Sequence, residues 1–347
     1  MTVNRPRLAI LAAPESSASV LYGLYDVLVS VGAMYPDMLT GKPGDELLDV
    51  SIVAASKEPF RCFGNVLVEP AAAVADIDRV DVVVVADMYA PINAAPHGQW
   101  VAETAWLRRM HEAGALIASV CTGSLLLAEA GLLDGRTCAS HWAYRDLFLA
   151  EYPQVRLLPN AILDLSHEQE GVITAGGVTA WQDLALHLIQ RLCGPEHAVR
   201  TAKVYLLSGH EDGQLPFAAP TESTLVADAV IRDALAWVDQ NYAVANPVSA
   251  MTEQSGLTRR TFARRFSAAT GRRPIEQVHR VRIERARDLI ERNIDGLDDI
   301  GYQVGYEDPA FFRRLFRRTT GLTPAAYRRK YAGIGAAATD GGSPAAP

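Results

Sequence analysis

The 347-residue sequence predicts two domains of different class: an α/β domain with a doubly wound parallel sheet, then an all-α domain with two helix-turn-helix motifs. Three observations carry this expectation. Short β-branched runs alternate with helical patterns up to residue 207, a turn-plus-helix pattern is written twice near the carboxyl end, and basic charge gathers around that repeat. Residues 225–332 hold 19 Lys and Arg against 13 Asp and Glu, a net of +6; the whole chain is −7, so the remainder carries −13. Segregation of this kind is the electrostatic footprint of a surface that meets phosphate.

Residues 7–13 form a short apolar run that stops at Pro14 and read as a buried first strand. Residues 19–31 follow as a helix with Leu21, Leu24, Tyr25, Leu28 and Val31 on its inner face. Residues 50–55 read as a second strand and 66–69 as a short edge piece. The run 81–86 is continuously β-branched rather than alternating, as expected of a strand covered on both faces of a parallel sheet. A helix over 99–113 and a strand over 116–120 come next, and the strand runs without a gap into Cys121-Thr-Gly.

Cys121 therefore stands where α/β sheets bind ligands, at the carboxyl end of a strand on a sharp turn into a helix. A helix N-terminus also lowers a thiol pKa, so position alone makes it a candidate nucleophile. His141 follows in Ala-Ser-His-Trp. The run 119–142, with its Cys-Thr-Gly, its Ala-Gly-Leu-Leu-Asp-Gly-Arg and its His-Trp, resembles the PfpI/ThiJ superfamily, of class I glutamine-amidotransferase-like fold. Residues 171–177 fit that family's late strand and turn, and 183–189 its packed helix.

The resemblance implies that Cys121 matches the family's elbow cysteine and His141 its partner histidine. Two departures count against catalysis. Val20 occupies the place of the family's acidic residue, with Glu15 out of register, and the loop that is Gly-rich in hydrolytic members reads Ala86-Asp87-Met88-Tyr89. Each missing oxyanion donor costs roughly 2.7 to 4 kcal/mol of transition-state stabilisation. Cys121 is left with three readings: a ligand-pocket residue, a packed core thiol, or a nucleophile or redox sensor. No catalytic residue is assigned, Cys121 and His141 being the fallback; the expected ligand-binding set is Cys121, His141, Asp87 and Tyr89.

A helix over 194–207 closes a domain assigned to residues 5–207. The Gly- and Pro-bearing stretch 208–223 reads as a linker, and 225–242 as an amphipathic helix opening a domain over 224–332. Its first motif, 255–266, reads Ser-Gly-Leu-Thr-Arg-Arg-Thr-Phe-Ala-Arg-Arg-Phe. Gly256 supplies the turn, Thr258 the N-cap, and Phe262 and Phe266 one apolar face. The second motif, 304–316, repeats the scheme with Gly305, Asp308 as cap, Pro309 at the first helical position, and Phe312 with Phe316. A linking helix over 275–290 is expected to join the two rigidly, so that they reach successive major grooves, about 34 Å apart.

These runs, with the closing Thr-Gly-Leu-Thr-Pro-Ala-Ala-Tyr-Arg at 320–328, closely resemble the AraC-type DNA-binding domain. Arg260, Thr261, Arg264, Arg313 and Arg314 are expected to face the groove, and Arg259, Arg265 and Arg317 the phosphates. The tail 333–347 is Ala-, Gly-, Ser- and Pro-rich and is expected to be disordered.

Cys62, Cys121, Cys138 and Cys193 show no CxxC spacing, so neither a zinc site nor a disulfide framework is expected, and no cofactor motif is present. No signal-peptide pattern opens the chain and no apolar run approaches the roughly 18 residues of a membrane helix. The expectation is a cytoplasmic regulator, not an enzyme, that binds double-stranded DNA under control of a small-molecule effector and forms a homodimer. The alternative is a Cys-dependent hydrolase or hydratase, or a thiol redox sensor, that carries a DNA-binding domain.

Overall fold

The computed structural model describes residues 5–92, 94, 96–218, 227–292 and 295–335, the side chains of 332–335 excepted. Its contacts divide into two units that meet in the chain at Gln214 and Leu215.

Alternation along the central strands sends side chains to both faces of the first unit's sheet. The strands are β1 (Arg7–Leu11), β2 (Asp49–Ala54), β3 (Phe60–Arg61), β4 (Leu67–Val68), β5 (Ala72–Ala73), β6 (Val82–Val85), β7 (Leu116–Val120), β8 (Thr137–Cys138), β9 (Arg156–Leu157), β10 (Leu163–Asp164) and β11 (Val172–Ala175). Seven of them form one sheet in the order β10-β11-β7-β6-β1-β2-β5, parallel except for β10. The expected edge piece at 66–69 lies instead in a separate two-stranded ribbon of β3 and β4.

Helices α1 (Ala18–Val29), α2 (Met34–Thr40), α3 (Val101–Glu112), α4 (Gly123–Glu129), α5 (Arg145–Glu151), α6 (Trp181–Cys193) and α7 (Pro195–Tyr205) complete the unit. Leu8, Ile10, Val82 and Val84 pack with Val20 and Leu24 of α1 and Leu184 and Leu188 of α6. Ala9, Leu11, Val83 and Val85 pack on the other side with Trp106 and Leu107 of α3 and Leu125 of α4. Both faces are covered, which is why the strand at Val82 is Val throughout.

The stretch expected as a linker is divided. Ser208 to Gln214 belongs with the first unit, where His210 Nδ1 meets Asp183 Oδ2 at 2.6 Å; Leu215 to Ala218 belongs with the second, where Arg287 Nη2 donates to Pro216 O at 2.8 Å. Residues 219–223 of it, and 336–347 of the expected disordered tail, lie outside the described residues.

The second unit is helical: α8 (Ala229–Asn241), α9 (Pro247–Gln254), α10 (Arg259–Thr270), α11 (Pro274–Glu291), α12 (Leu297–Gln303), α13 (Pro309–Thr320) and α14 (Pro324–Gly335). One helix serves two cores. Val278 and Val281 of α11 pack with Phe262, Phe266 and Met251, whereas Ile283, Ala286 and Ile290 pack with Ile300, Phe312 and Phe316. At the junction Arg282, nearly buried, donates to Tyr242 O at 2.7 Å and Val244 O at 3.1 Å and lies over the Tyr306 ring at 5.2 Å. Among the described residues no single helix is long and apolar enough to cross a membrane.

Candidate functional site

The two repeated helices begin as their sequences dictate. Thr258 Oγ1 accepts from the Thr261 N–H at the head of α10, and Asp308 Oδ1 accepts from the Ala310 N–H at the head of α13, where Pro309 has no N–H to lose. Gly256 and Gly305 take positive φ, 65° and 91°, in the turns that precede them. Phe262 with Phe266 and Phe312 with Phe316 are buried at ring separations of 5.6 and 5.7 Å.

Arg259, Arg260, Arg264, Arg313, Arg314 and Arg317 are exposed, and Thr261 is half-buried. Arg313 pairs with Asp298 of α12 at 2.5 Å, and Arg314 lies 3.9 Å from Asp308. Arg265 departs from the expected phosphate contact. Its guanidinium is spent on Asp228, the N-cap of α8, which also accepts from the Val230 and Ile231 N–H groups. A cleft of about 1040 Å³ opens where the heads of α10, α11 and α13 approach one another, with Arg259, Arg273, Arg282, His279 and Phe311 in its walls.

In the first unit, Cys121 has φ +55°, the left-handed region that non-glycine residues adopt at strained elbows. Hydrogen bonds hold it there. Its N–H donates to Ala175 O at 2.9 Å, and its carbonyl accepts from Ser124 Oγ at 2.8 Å and Ser140 Oγ at 3.1 Å. Gly123 follows because a Cβ there would meet Ala86 O at 2.5 Å and Val85 O at 2.8 Å. The Cys-Thr-Gly signature is thus a packing requirement of the turn as well as a placement of the thiol.

The electrostatics oppose a thiolate. Burial pushes the Cys121 thiol up to about 12, and the nearby Asp87 charge adds to the effect. Asp87 is itself buried and pushed up by burial, while Ser17 donates to it through both its hydroxyl and its N–H. His141 is held below the ordinary histidine value by burial, and its Nδ1 accepts from the Ala143 N–H at 3.2 Å. Among the described residues no hydrogen bond joins His141 to Cys121. Tyr89 points outward, 61% exposed and stacked on Phe63 at 5.5 Å. The sequence-derived pocket set therefore converges only in part: Asp87 faces the elbow electrostatically, and Tyr89 sits on the rim.

Comparison with known proteins gives each unit a relative. The DJ-1/PfpI family profile matches residues 25–191, and a helix-turn-helix domain profile matches residues 251–330. The transcriptional regulator CdhR of Pseudomonas aeruginosa is 26% identical over 325 residues, 92% of this chain and 94% of that protein. The chain thus pairs a DJ-1/PfpI domain with an AraC-type helix-turn-helix domain, and its relatives include HTH-type transcriptional regulators. The regulator GlxA of Rhizobium meliloti is 28% identical over 65% of this chain and 68% of its own length. The isonitrile hydratase of Pseudomonas putida, 29% identical over 55% of this chain and 74% of its own, matches with no helix-turn-helix in its name.

Sequence reasoning missed Gln214. The side chain is almost fully buried, and its Nε2 donates to Ser140 O at 2.9 Å and Ala161 O at 2.8 Å. One signal was available: Gly176 and Gly177 stand side by side after β11, and a Cβ on Gly176 would meet Gln214 Nε2 at 2.2 Å.

Proposed function

We propose that this chain is a sequence-specific DNA-binding transcription regulator whose first domain binds a small-molecule effector and pairs two copies of the chain. The observation that carries the DNA-binding reading is the fastening of two equivalent Gly-turn helices, α10 and α13, to the single helix α11, with Arg260, Arg264, Arg313 and Arg314 exposed. Arginine bidentate to guanine is the commonest specific base contact, so these four are assigned to bases together with Thr261. Arg259 lines the cleft between the helix heads, and it and Arg317 are assigned to phosphate. A DNA target supports a cytoplasmic location.

The effector reading draws on the elbow at the carboxyl end of the sheet, the usual ligand position of open α/β folds. An enzymatic role for Cys121 is disfavoured because a thiol pushed up to about 12 supplies almost no thiolate at neutral pH. The test is a salt titration of binding to DNA upstream of the gene and its neighbours, run beside random duplex. Preference for one fragment by about 10³ or more supports the reading. Binding that is weak and indifferent to sequence removes it.

A further inference from the structure

α13 carries an aromatic side chain that its core does not take. Phe312, Leu315 and Phe316 of this helix are buried, but Phe311 is 38% exposed. Lone exposed apolar residues are common on protein surfaces and need no function. Phe311 differs in its place and in its support. It stands in the first turn of α13, after Pro309 and Ala310, and the first turn of a recognition helix is the part that reaches base edges.

The ring is braced by two others. Its centroid lies 5.6 Å from that of His279 and 5.9 Å from that of Tyr306, and those two rings stack on each other at 5.8 Å. Tyr306 is in turn braced by the Arg282 guanidinium at 5.2 Å and by Phe312 at 5.6 Å. Phe311 also stands in the wall of the cleft of about 1040 Å³ between the heads of α10, α11 and α13, so there is room beside it. At helical spacing Arg314 and Arg318 follow on that side, at i+3 and i+7. Burial first, and then the charges of Arg282 and Arg318, hold the His279 imidazole below its ordinary value, which confirms that Arg318 turns toward this cluster. Arg313 turns the other way, to Asp298 of α12.

We propose that Phe311 is a specificity-determining residue that reads thymine, its ring packing against the C5-methyl group in the major groove. The inference rests on the reading of α13 as a DNA-reading helix. A phenyl ring neither donates nor accepts a conventional hydrogen bond, so it matches none of the amino, carbonyl and ring-nitrogen groups that guanine, cytosine and adenine display there. The thymine methyl is the apolar group of that groove. Because His279 and Tyr306 already hold the ring, little side-chain freedom is left to lose when the methyl docks. With Arg314 one turn further on, α13 would read a guanine and a thymine close together.

The test is uracil interference with the full chain, on the upstream fragment that wild type prefers. Thymidines in the fragment are replaced at random by deoxyuridine, which differs only in lacking the C5-methyl. Bound and free molecules are separated, and uracil-DNA glycosylase maps the positions depleted from the bound fraction. Wild type should show a thymine whose methyl loss weakens binding by about fourfold, the worth of one buried carbon group. Phe311→Ala and Phe311→Gln should both be indifferent to that methyl, while binding random duplex as wild type does. The glutamine stem still covers His279 and Tyr306, so this variant carries the test if the alanine variant loses its fold. No interfering thymine in wild type, or an unchanged interference pattern in a folded variant, overturns the assignment and leaves the DNA-binding reading in place. A protein with no preferred fragment fails earlier: that result removes the reading of α13, and this inference with it.

Discussion

Arg265 grips Asp228 with both edges of its guanidinium, Nε to Oδ2 at 2.8 Å and Nη2 to Oδ1 at 2.7 Å, across 37 residues of chain. The hydrogen bonds from Arg265 hold the Asp228 carboxyl below the usual aspartate range. A group depressed in the folded state stabilises above its unfolded pKa, and the contribution is lost as pH falls through the folded value. Arg265→Ala should therefore lower the unfolding midpoint at neutral pH and converge on wild type in acid. Asp228→Ala, which also removes the cap of α8, should cost more. Arg265→Ala variants that bind DNA more weakly without any loss of stability would return this side chain to the phosphate contacts.

The thiols differ in access. Cys121 is 3% exposed and pushed up to about 12, whereas Cys193 is half-buried. At pH 8 a thiol of that pKa is thiolate to roughly one part in 10⁴. Iodoacetamide followed by peptide mass spectrometry should label Cys193 first and leave Cys121 unmodified. Rapid labelling of Cys121, or peroxide-sensitive DNA binding that disappears in Cys121→Ser, would bring back the redox sensor.

The two turn glycines should respond unequally to a methyl group. At Gly256 nothing lies within 4 Å of a built Cβ, so Gly256→Ala pays only the positive φ, about 1 kcal/mol. At Gly305 the same atom meets Ala243 O at 2.7 Å and Arg282 Cζ at 2.9 Å, and Gly305→Ala should lose about 2 kcal/mol or more. Calorimetry on both variants measures the difference. Equal losses would mean that the clash at Gly305 relaxes freely.

On DNA the arginines should separate into two kinds. Arg264→Ala and Arg314→Ala are expected to lose about 1 to 3 kcal/mol of discrimination between specific and random duplex. Arg259→Ala and Arg317→Ala should weaken both duplexes alike and reduce the salt slope by about one. A uniform loss in all four variants would leave the protein with backbone contacts alone.

Much of this was legible because it is local. The Thr258 and Asp308 caps, Pro309 at the head of α13, the turn glycines and the Phe pairs each depend on residues within a few positions, and all stand as the sequence implied. What was not legible depends on partners far along the chain. Arg265 read as a phosphate contact because Asp228 lies outside the motif, and Ser17, which holds Asp87, is 70 residues away from it. Gln214 was hidden for another reason. It sits among Gly209, Gly213 and Pro216, a composition typical of connectors, and only the folded sheet brings Gly176 and Ala161 beside it.

The burial of Arg282 has a consequence for the operator. By joining Tyr242 O and Val244 O to the Tyr306 ring midway along α11, it makes the offset between the two reading helices a fixed length rather than an adjustable one. If α10 and α13 read DNA as proposed, half-sites should recur on one side of the duplex, about one helical turn apart. Inserting about five base pairs between them carries the second half-site to the opposite side, and a protein with a rigid ruler cannot follow it there.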